Sequence, residues 1–477
     1  MSVRGDRHAR NHAHAHGPVA SMWAAALAAL TLMVPALVLV VGGNNNGRAA
    51  FDSTAYHERF IRALAESFPS FDLSNPLTAT TPGYHILVAT AAQFGAESTM
   101  AMRLVSMVVG CAFVATVAAW IARRTGAGLA YVFTLPLIAS IYVVGSAAWL
   151  LPDNLAWLLV VSILFLALGD PLRARRLALA SVLLALLVCV RQIHIWAAAT
   201  VWVGGWILVG AGSPRPRGTV DRALRTAPWI LATVPAFALL GWFVGHWGGL
   251  TPPRFQNELQ VVNPATPAFI LLQLAVISLA FLPWLGGTVR RAWMQHRGIV
   301  VACAFAGLLA AAVPVTTADL HAGRFSGWWG LIERAPVLFG RSSVAMLVLS
   351  PVGAAMLGAA LLGLAPRARL VLGVSILAFT AALTANYYCF QRYHEPFLLV
   401  LVPVLCVLQR DQPARLSPAR ALVPLGFAAL LAVISVRGFR GEAVPPDAIP
   451  AAEHIAPAGV VRHEAVIAPP GAPIRRL

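Results

Sequence analysis

The sequence predicts an all-α, polytopic transmembrane protein with about 13 spans. Hydrophobic residues make up 59% of the 477 residues, whereas charged residues make up only 11%. Apolar runs of about 20 residues, each long enough to cross a hydrocarbon core of ~30 Å, recur along the whole chain. A soluble domain of this length does not have such a composition.

The predicted spans follow the apolar runs, and most end at an arginine, a turn or a polar loop. Residues 84–96 are apolar but too short to cross, so they predict an interfacial or re-entrant helix. In chain order, the spans and the residues after them are 20–42 (the turn 42–47), 99–121 (Arg123), 127–148 (Pro152), 155–169 (Arg173), 177–190 (Arg191), 194–211 (Arg215), 228–245 (His246), 268–287 (Arg290), 298–315 (Thr316), 343–364 (Arg367), 370–388 (Gln391), 396–409 (Arg410) and 421–436 (Arg437).

Three regions are predicted. Residues 1–19 are polar and rich in histidine, which indicates a disordered cytoplasmic tail or, alternatively, a metal-binding histidine tract. Residues 20–437 form the transmembrane domain, including an external loop at 51–97 with interfacial helices. Residues 438–477 form an external, proline-rich tail. The first apolar run has no small-residue cleavage site and is interpreted as an anchor.

The composition narrows the partners and the compartment. The net charge of +17 comes from arginine, since the chain has no lysine. The arginines are scattered between apolar runs, which excludes a nucleic-acid partner. Heavy use of arginine, alanine and glycine indicates a bacterial inner-membrane protein. The five cysteines lie in apolar runs without ligand spacing, so we expect neither disulfides, a metal nor another cofactor.

Charge also predicts the orientation. With the amino terminus in the cytoplasm, the short arginine-dense loops lie inside, as the positive-inside rule requires. The acidic residues of the loops at 51–97, 246–267 and 316–342 then lie outside. We therefore expect the active site on the outer face of the membrane.

The first external loop carries the candidate catalytic residues. Its apolar residues recur at helical spacing and predict an amphipathic surface helix from Phe51 to Phe68. A carboxylate at this surface, from Asp52 or Glu58, can act as a general base toward a sugar hydroxyl, and His57 lies on about the same side as Asp52. The alternative is a solvated loop whose helix is capped by Asp52. The loop has no Asp-x-Asp pair and so no metal–nucleotide signature.

Several residues elsewhere are candidates for substrate binding. Arg191 and Gln192 lie between two apolar runs, where an arginine costs ~2.5–3.5 kcal/mol and is matched by a lipid phosphate or a carboxylate. The alternative is an arginine that snorkels to the interface. Asp153 lies in a Pro-Asp-Asn turn, which is also an ordinary turn sequence.

The remaining candidates lie near other span ends. Arg392 and His394 belong to a polar group before the run at 396–409, where Arg392 can bind a second phosphate. The alternative is an interfacial anchor. Arg103 marks the mouth of the second span, and Arg254 lies in the loop at 246–267.

Three local motifs resemble a known family. Tyr56-His57 followed by Thr80-Thr81-Pro82-Gly83 resembles an acidic–aromatic–histidine segment with a T-T-x-P-G turn. The segment Arg191–Trp196 resembles R-Q-T-N-I-x-W, and Arg392-Tyr393 with Pro396 resembles R-Y-x-x-P. The chain thus resembles the GT-C glycosyltransferases and is most similar to the dolichyl-phosphate-glucose α-1,2-glucosyltransferases.

The resemblance implies a GT-C-like fold and a membrane glycosyltransferase. Its donor is a hexose linked to polyprenyl phosphate, its acceptor is a glycan or lipid, and transfer inverts the anomeric configuration. Arginines bind the departing phosphate, with Arg191, Arg392 and Arg254 as candidates, and Thr81 belongs to the matched turn. The family's acidic pair precedes the histidine by three and four residues, where this chain has Ser53 and Thr54. Asp52 is therefore the first candidate base and Glu58 the second.

Two other function classes remain open at this point. A flippase or transporter of polyprenyl-linked glycans also uses intramembrane arginines, but it predicts internal repeats, and none is convincing here. An O-antigen-type polymerase uses external arginines and does not require the acidic first loop.

Overall fold

Helices make up 78% of the residues that the computed structural model describes, which confirms the all-α prediction. It describes residues 17–74, 76–169, 174–211, 218–256, 262–410 and 416–441. Nearly all of the two predicted tails, at 1–16 and 442–477, lies outside the described residues.

The α-helices are numbered in chain order. They are α1 (Pro18–Val41), α2 (Arg48–Asp52), α3 (Glu58–Glu66), α4 (Gly83–Gln93), α5 (Thr99–Thr125), α6 (Ala127–Ala139), α7 (Ile141–Ala148), α8 (Asp153–Leu168), α9 (Ala174–Val190), α10 (Ala197–Ala211), α11 (Thr219–Leu231), α12 (Val234–Trp247), α13 (Thr266–Ala280), α14 (Leu282–Ala312), α15 (Trp329–Arg334), α16 (Val344–Leu362), α17 (Pro366–Thr384), α18 (Glu395–Val407) and α19 (Pro418–Phe439).

Shorter elements connect these helices. A π-helical turn, Ser53–His57, joins α2 to α3, and 3₁₀ turns span Gln192–Trp196, Pro253–Phe255 and Gln391–Tyr393. The strands β1 (Val337–Leu338) and β2 (Ser342–Ser343) pair antiparallel, with Val337 opposite Ser343.

The described residues support fewer spans than the 13 predicted. Among the described residues, six helices are long and apolar enough to cross a membrane, namely α1, α5, α14, α16, α17 and α19, and the number rises to eight if two bent pairs each count as one span. The bent pairs are α6 with α7, at 73°, and α11 with α12, at 55°. Long apolar helices of this kind identify an integral membrane protein.

The excess in the prediction has a physical origin. Helices α8, α13 and α18 are apolar, but they contain only 16, 15 and 13 residues. At a rise of ~1.5 Å per residue they are shorter than a hydrocarbon core of ~30 Å. The arginines near Arg290 do not end a helix either, because α14 continues past them with a kink at His296.

Close packing between helices relies on small residues. Helix α1 turns Ala24, Ala28 and Ala36 toward the core, where α5 lies against it. Gly353 of α16 packs so closely on α13 that an added Cβ atom would overlap the carbonyl oxygen of Leu271. Lipid is as apolar as the helices, so backbone proximity and van der Waals contact drive this association.

The predicted surface helix of the first loop exists, with a different buried face. The helical segment from Arg48 to Glu66 is continuous but contains the π-turn. That turn adds a residue to the helical repeat and changes the direction in which the residues of α3 point. Of the predicted apolar face, Phe60 and Leu64 are buried in the protein core, together with Ile61, whereas Tyr56 and Phe68 are exposed.

At one end of the helical domain, hydrogen bonds join the ends of several helices. The carbonyl oxygen of Asn44, after α1, accepts hydrogen bonds from Arg103 Nη1 (3.2 Å) and Trp149 Nε1 (3.0 Å). The Asn44 amide donates to the carbonyl oxygen of Phe439, at the end of α19. The backbone N–H of Leu150 donates to Ser53 Oγ at 3.0 Å, which attaches the first loop to the same end. We call this the site end.

Candidate functional site

The first loop is joined to the last third of the chain by an ion pair. Asp52, the last residue of α2, accepts a hydrogen bond from Arg392 in the turn before α18, with Oδ2 and Nη1 2.6 Å apart. The two side chains are 16% and 28% exposed. Partial burial reduces screening by water and makes the pair stronger than one on an open surface.

A second ion pair lies deeper. Arg191 follows α9 and contacts the carboxylate of Asp153, the first residue of α8. Their side chains are 10% and 11% exposed. Buried charges of this kind must be paired, because the loss of hydration is costly. The pairing excludes the interpretation of Arg191 as a snorkelling side chain.

Tyr393 connects the two pairs. The guanidinium carbon of Arg191 lies 4.8 Å from the centroid of the Tyr393 ring, and that of Arg392 lies 5.0 Å from it. Arg392 Nη2 also donates to the Tyr393 hydroxyl at 3.2 Å. The structure thus brings together Asp52, Asp153, Arg191 and Arg392 around one tyrosine, and we call these five residues the double ion-pair site.

The two arginines have unused binding capacity. The Nε–H groups of Arg191 and Arg392 are buried and have no hydrogen-bond partner. Unsatisfied buried donors are rare in proteins and often mark the place of a ligand or an ion. A cavity of about 10 Å³, lined by Arg191, Asn386 and Tyr393 among others, has room for roughly one water molecule.

His57 lies beside these charges in neutral form. Its Nδ1 is 2.8 Å from His85 Nε2, and the two rings stack with a centroid distance of 5.1 Å. Burial, together with the positive charges of Arg392 and Arg191, lowers the pKa of His57 from 6.5 to about 3. Near pH 7 the positive charge of the site therefore comes from the arginines, and His57 is available as a hydrogen-bonding group.

Glu58 is used differently from Asp52. Its Oε1 accepts hydrogen bonds from Arg62 Nη2, at 2.8 Å, and from the Thr99 hydroxyl. These contacts fasten α3 to the start of α5. Of the two carboxylates, Asp52 pairs with Arg392, whereas Glu58 binds Arg62 and Thr99 and connects two helices.

Thr81 and Gln192 fix the backbone on both sides of Arg191. The Thr81 hydroxyl donates to the carbonyl oxygen of Val188 at 2.6 Å, and its N–H donates to Gln192 Oε1 at 3.1 Å. Gly83 packs so closely on this segment that an added Cβ would lie 2.7 Å from the Cys189 carbonyl oxygen. The matched turn thus secures the end of α9 and fixes the position of Arg191.

Three predicted binding residues have other partners or positions. Arg103 is buried and binds Asn44 and Asn45. His394 is 1% exposed, with its Nδ1 3.4 Å from Gln273 Nε2. Arg254 is exposed in the turn Pro253–Phe255.

Gln391 and Glu395, on either side of Arg392, were not among the predicted site residues. Gln391 Oε1 accepts from the backbone N–H of Trp328 at 2.7 Å, and its amide nitrogen donates to Glu395. Glu395 also accepts from the Ser140 hydroxyl at 2.6 Å. Polar residues on both sides of Arg392, immediately before an apolar run, were the available signal.

No cluster of three or more His, Cys, Asp or Glu side chains capable of holding a metal occurs in the described part of the chain. No protein-family model matches the chain. No curated protein matches it significantly.

Proposed function

We propose that the chain is a GT-C-like membrane glycosyltransferase that transfers a hexose from a polyprenyl-phosphate donor to a glycan or lipid acceptor. The observation that supports this best is the double ion-pair site. It places two arginines with unpaired buried Nε–H groups beside one partly exposed carboxylate. Transfer from a lipid phosphate requires both functions, a cationic site for the leaving group and a base for the acceptor.

The donor phosphate binds Arg191 and Arg392. A guanidinium presents donors in a planar fork that suits phosphate, and such charge-assisted bonds are the strongest hydrogen bonds in proteins. The phosphate uses the two Nε–H groups and exchanges with the Asp52 carboxylate on Arg392. Asp153 keeps Arg191 in place as its buried counter-ion.

The release of Asp52 from Arg392 prepares the chemical step. Asp52 takes the proton of an acceptor hydroxyl while that oxygen attacks the anomeric carbon. The bond between the anomeric carbon and the phosphate oxygen breaks, and the phosphate leaves with the electron pair and is stabilised by the two arginines. Attack opposite the leaving group inverts the anomeric configuration.

The distribution of arginine supports an inner-membrane protein with its site end outside. Arg367, in the first turn of α17, donates to the carbonyl oxygens of Ala167 and Gly169 at the end of α8, which is opposite to the end that carries Asp153. Exposed Arg123 lies at the end of α5, opposite to Arg103. Arginine-dense loops stay in the cytoplasm, so the double ion-pair site faces outward.

The function is tested with purified protein in liposomes supplied with a polyprenyl-phosphate hexose and a panel of glycan acceptors. Transfer of the labelled sugar, abolished by Asp52→Asn, is the expected result. Movement of the intact labelled donor between leaflets without transfer would instead identify a flippase. Extension of glycan chains without consumption of the polyprenyl-phosphate hexose would identify a polymerase.

A further inference from the structure

Arg48 lies one helical turn before Asp52 and has no carboxylate partner among the described residues. It is exposed. Its guanidinium carbon lies 4.8 Å from the ring centroid of Phe325 and 5.5 Å from that of Phe390. Residues four apart on a helix are neighbours and often form ion pairs. Here Asp52 pairs with Arg392 instead, and Arg48 is turned onto the aromatic rings.

The rings that hold Arg48 belong to a continuous aromatic row. Phe325 contacts Phe390 at a centroid distance of 4.9 Å, and Phe390 contacts Tyr393 at 5.6 Å. Arg392 lies 5.3 Å from the centroid of Phe390. The row therefore carries Arg48 at one end and the double ion-pair site at the other.

The backbone at Arg48 is also fixed. Gly47, which precedes it, has a φ of +82°, and a Cβ there would lie 2.9 Å from the carbonyl oxygen of Gly438 at the end of α19. A glycine is needed for this combination of positive φ and close approach. The helix that carries Arg48 and Asp52 thus lies against α19 at Gly47, the residue before its first turn.

We propose that Arg48 binds an acidic group on the acceptor saccharide, either a carboxylate or a phosphate. A guanidinium that lies over aromatic rings has no acceptor on that side and keeps N–H groups available for an anion. Side chains one helical turn apart are separated by about 5–6 Å at Cβ, similar to the width of a sugar ring. A hydroxyl at Asp52 and an acidic substituent at Arg48 therefore fit the same sugar or adjacent sugars.

This inference rests on the proposed function, because it assigns the acceptor to the side of Asp52 away from the donor phosphate. Arg191 and Arg392 bind the phosphate of the donor, and Arg48 recognises the acceptor. Half-buried Phe325, beside Arg48, supplies an apolar surface for the ring of that sugar.

The experiment measures binding and transfer separately. Binding of oligosaccharides that differ in one sugar, neutral, uronate-bearing or phosphate-bearing, is measured by saturation-transfer NMR on wild-type protein in nanodiscs without donor. Wild-type protein should bind an acidic ligand more tightly than a neutral one. Arg48→Gln should lower this affinity ratio about tenfold and leave the affinity for the neutral ligand unchanged. Comparison of the uronate and the phosphate identifies the anion.

Three variants complete the test. Arg48→Lys should keep part of the preference, because it preserves charge without the planar fork. Phe325→Leu should weaken the preference to a smaller extent. Arg437→Gln removes an exposed arginine of α19 at the site end and serves as the matched control. In transfer assays, Arg48→Gln should raise the acceptor KM and leave the donor KM unchanged.

An equal affinity for neutral and acidic ligands in wild-type protein overturns the inference, as does an equal loss with Arg437→Gln. Transfer to neutral acceptors would persist in either case and would leave the proposed function intact. Acid-selective binding that depends on Arg48, without any sugar transfer, would instead retain the site and reject the glycosyltransferase.

Discussion

Asp52 Oδ2 lies 2.6 Å from Arg392 Nη1, although 340 positions separate the two residues in the chain. The contact joins the first loop to the turn before α18 and places a carboxylate beside a guanidinium with an unpaired buried Nε–H. A phosphate can take the place of this carboxylate on the arginine. In the proposed reaction, the pair therefore links donor binding to the availability of the base.

Asp52→Asn should reduce single-turnover sugar transfer by about 10²–10⁴-fold, the usual contribution of a general base. Asparagine is nearly isosteric, but it no longer competes with the phosphate for Arg392 and leaves that guanidinium without its counter-ion. Donor affinity should therefore be kept or raised, and the protein should fold with a lower unfolding temperature. Transfer is measured with labelled polyprenyl-phosphate hexose, and donor affinity with a non-transferable analogue. Normal turnover in Asp52→Asn would show that Asp52 is not the general base.

Glu58→Gln should lower the thermal unfolding temperature. It should leave turnover of the folded protein close to that of wild type. Glu58 binds Arg62 and Thr99, and the variant weakens this tie between α3 and α5. The loss should be about 1 kcal/mol of unfolding free energy or less, because Arg62 is largely exposed. Thr99→Val provides a companion variant, since it removes one donor to the same carboxylate. A loss of turnover as large as that of Asp52→Asn, with a native fold, would transfer the role of base to Glu58.

Arg191→Ala should weaken donor binding far more than Arg123→Ala. The arginine of the site is buried, whereas Arg123 is exposed at the end of α5, and interactions with phosphate are stronger where water is excluded. The measured quantity is the donor KM or photo-crosslinking to the donor lipid. Equal effects of the two variants would rule out Arg191 as a phosphate ligand.

The single variant also leaves Asp153 buried without its counter-ion, which costs about 3–5 kcal/mol of stability. The double variant Arg191→Gln with Asp153→Asn removes both charges and should restore folding. Donor binding should remain weak in this double variant. Recovery of donor binding together with folding would show that the pair has only a structural role.

Stability should fall as the pH decreases from about 6.5 toward 3 because of His57. Its pKa is lowered to about 3 in the folded state, so the unfolded chain takes up a proton in this range and the folded chain does not. Above about pH 6.5 both states are neutral and this contribution to the pH dependence vanishes. His57→Gln should therefore flatten the pH profile of the unfolding temperature relative to wild type.

Exposed His321 offers a matched control for this measurement. His321→Gln should keep the wild-type pH profile, because its imidazole lies at the surface of the loop at 316–342. Identical profiles for wild type and His57→Gln would show that protonation of His57 is not coupled to folding.

Cysteine labelling tests the orientation in a cysteine-free background. Ser70→Cys, in the first loop, should react with an impermeant thiol reagent added to the outside of intact cells. Thr219→Cys, at the start of α11, should react only after the membrane is permeabilised. Both positions are exposed on the protein. The reverse pattern would place the double ion-pair site in the cytoplasm.

The sequence alone determined that the fold consists of helices in a membrane. Its high apolar content and repeated runs predicted helices in a membrane, because a buried backbone in lipid must satisfy its hydrogen bonds within each segment. It also singled out Asp52, Asp153, Arg191 and Arg392, since charged residues beside apolar runs are costly and need a partner. Hydropathy did not reveal that α8, α13 and α18 are too short to cross or that α14 continues through its arginines, because it measures composition and not helix length.

Only the tertiary structure decided which charges meet. Asp52 and Glu58 are both carboxylates of one helical segment, yet Asp52 contacts Arg392 and Glu58 contacts Arg62. His394 follows the site tyrosine directly in sequence, but its ring is buried against Gln273. The sequence did not single out Arg48, and only the structure places it beside Phe325 and Phe390. Partners of this kind come from distant parts of the chain, and the packing of helix ends sets their distances, which a local pattern of residues does not encode.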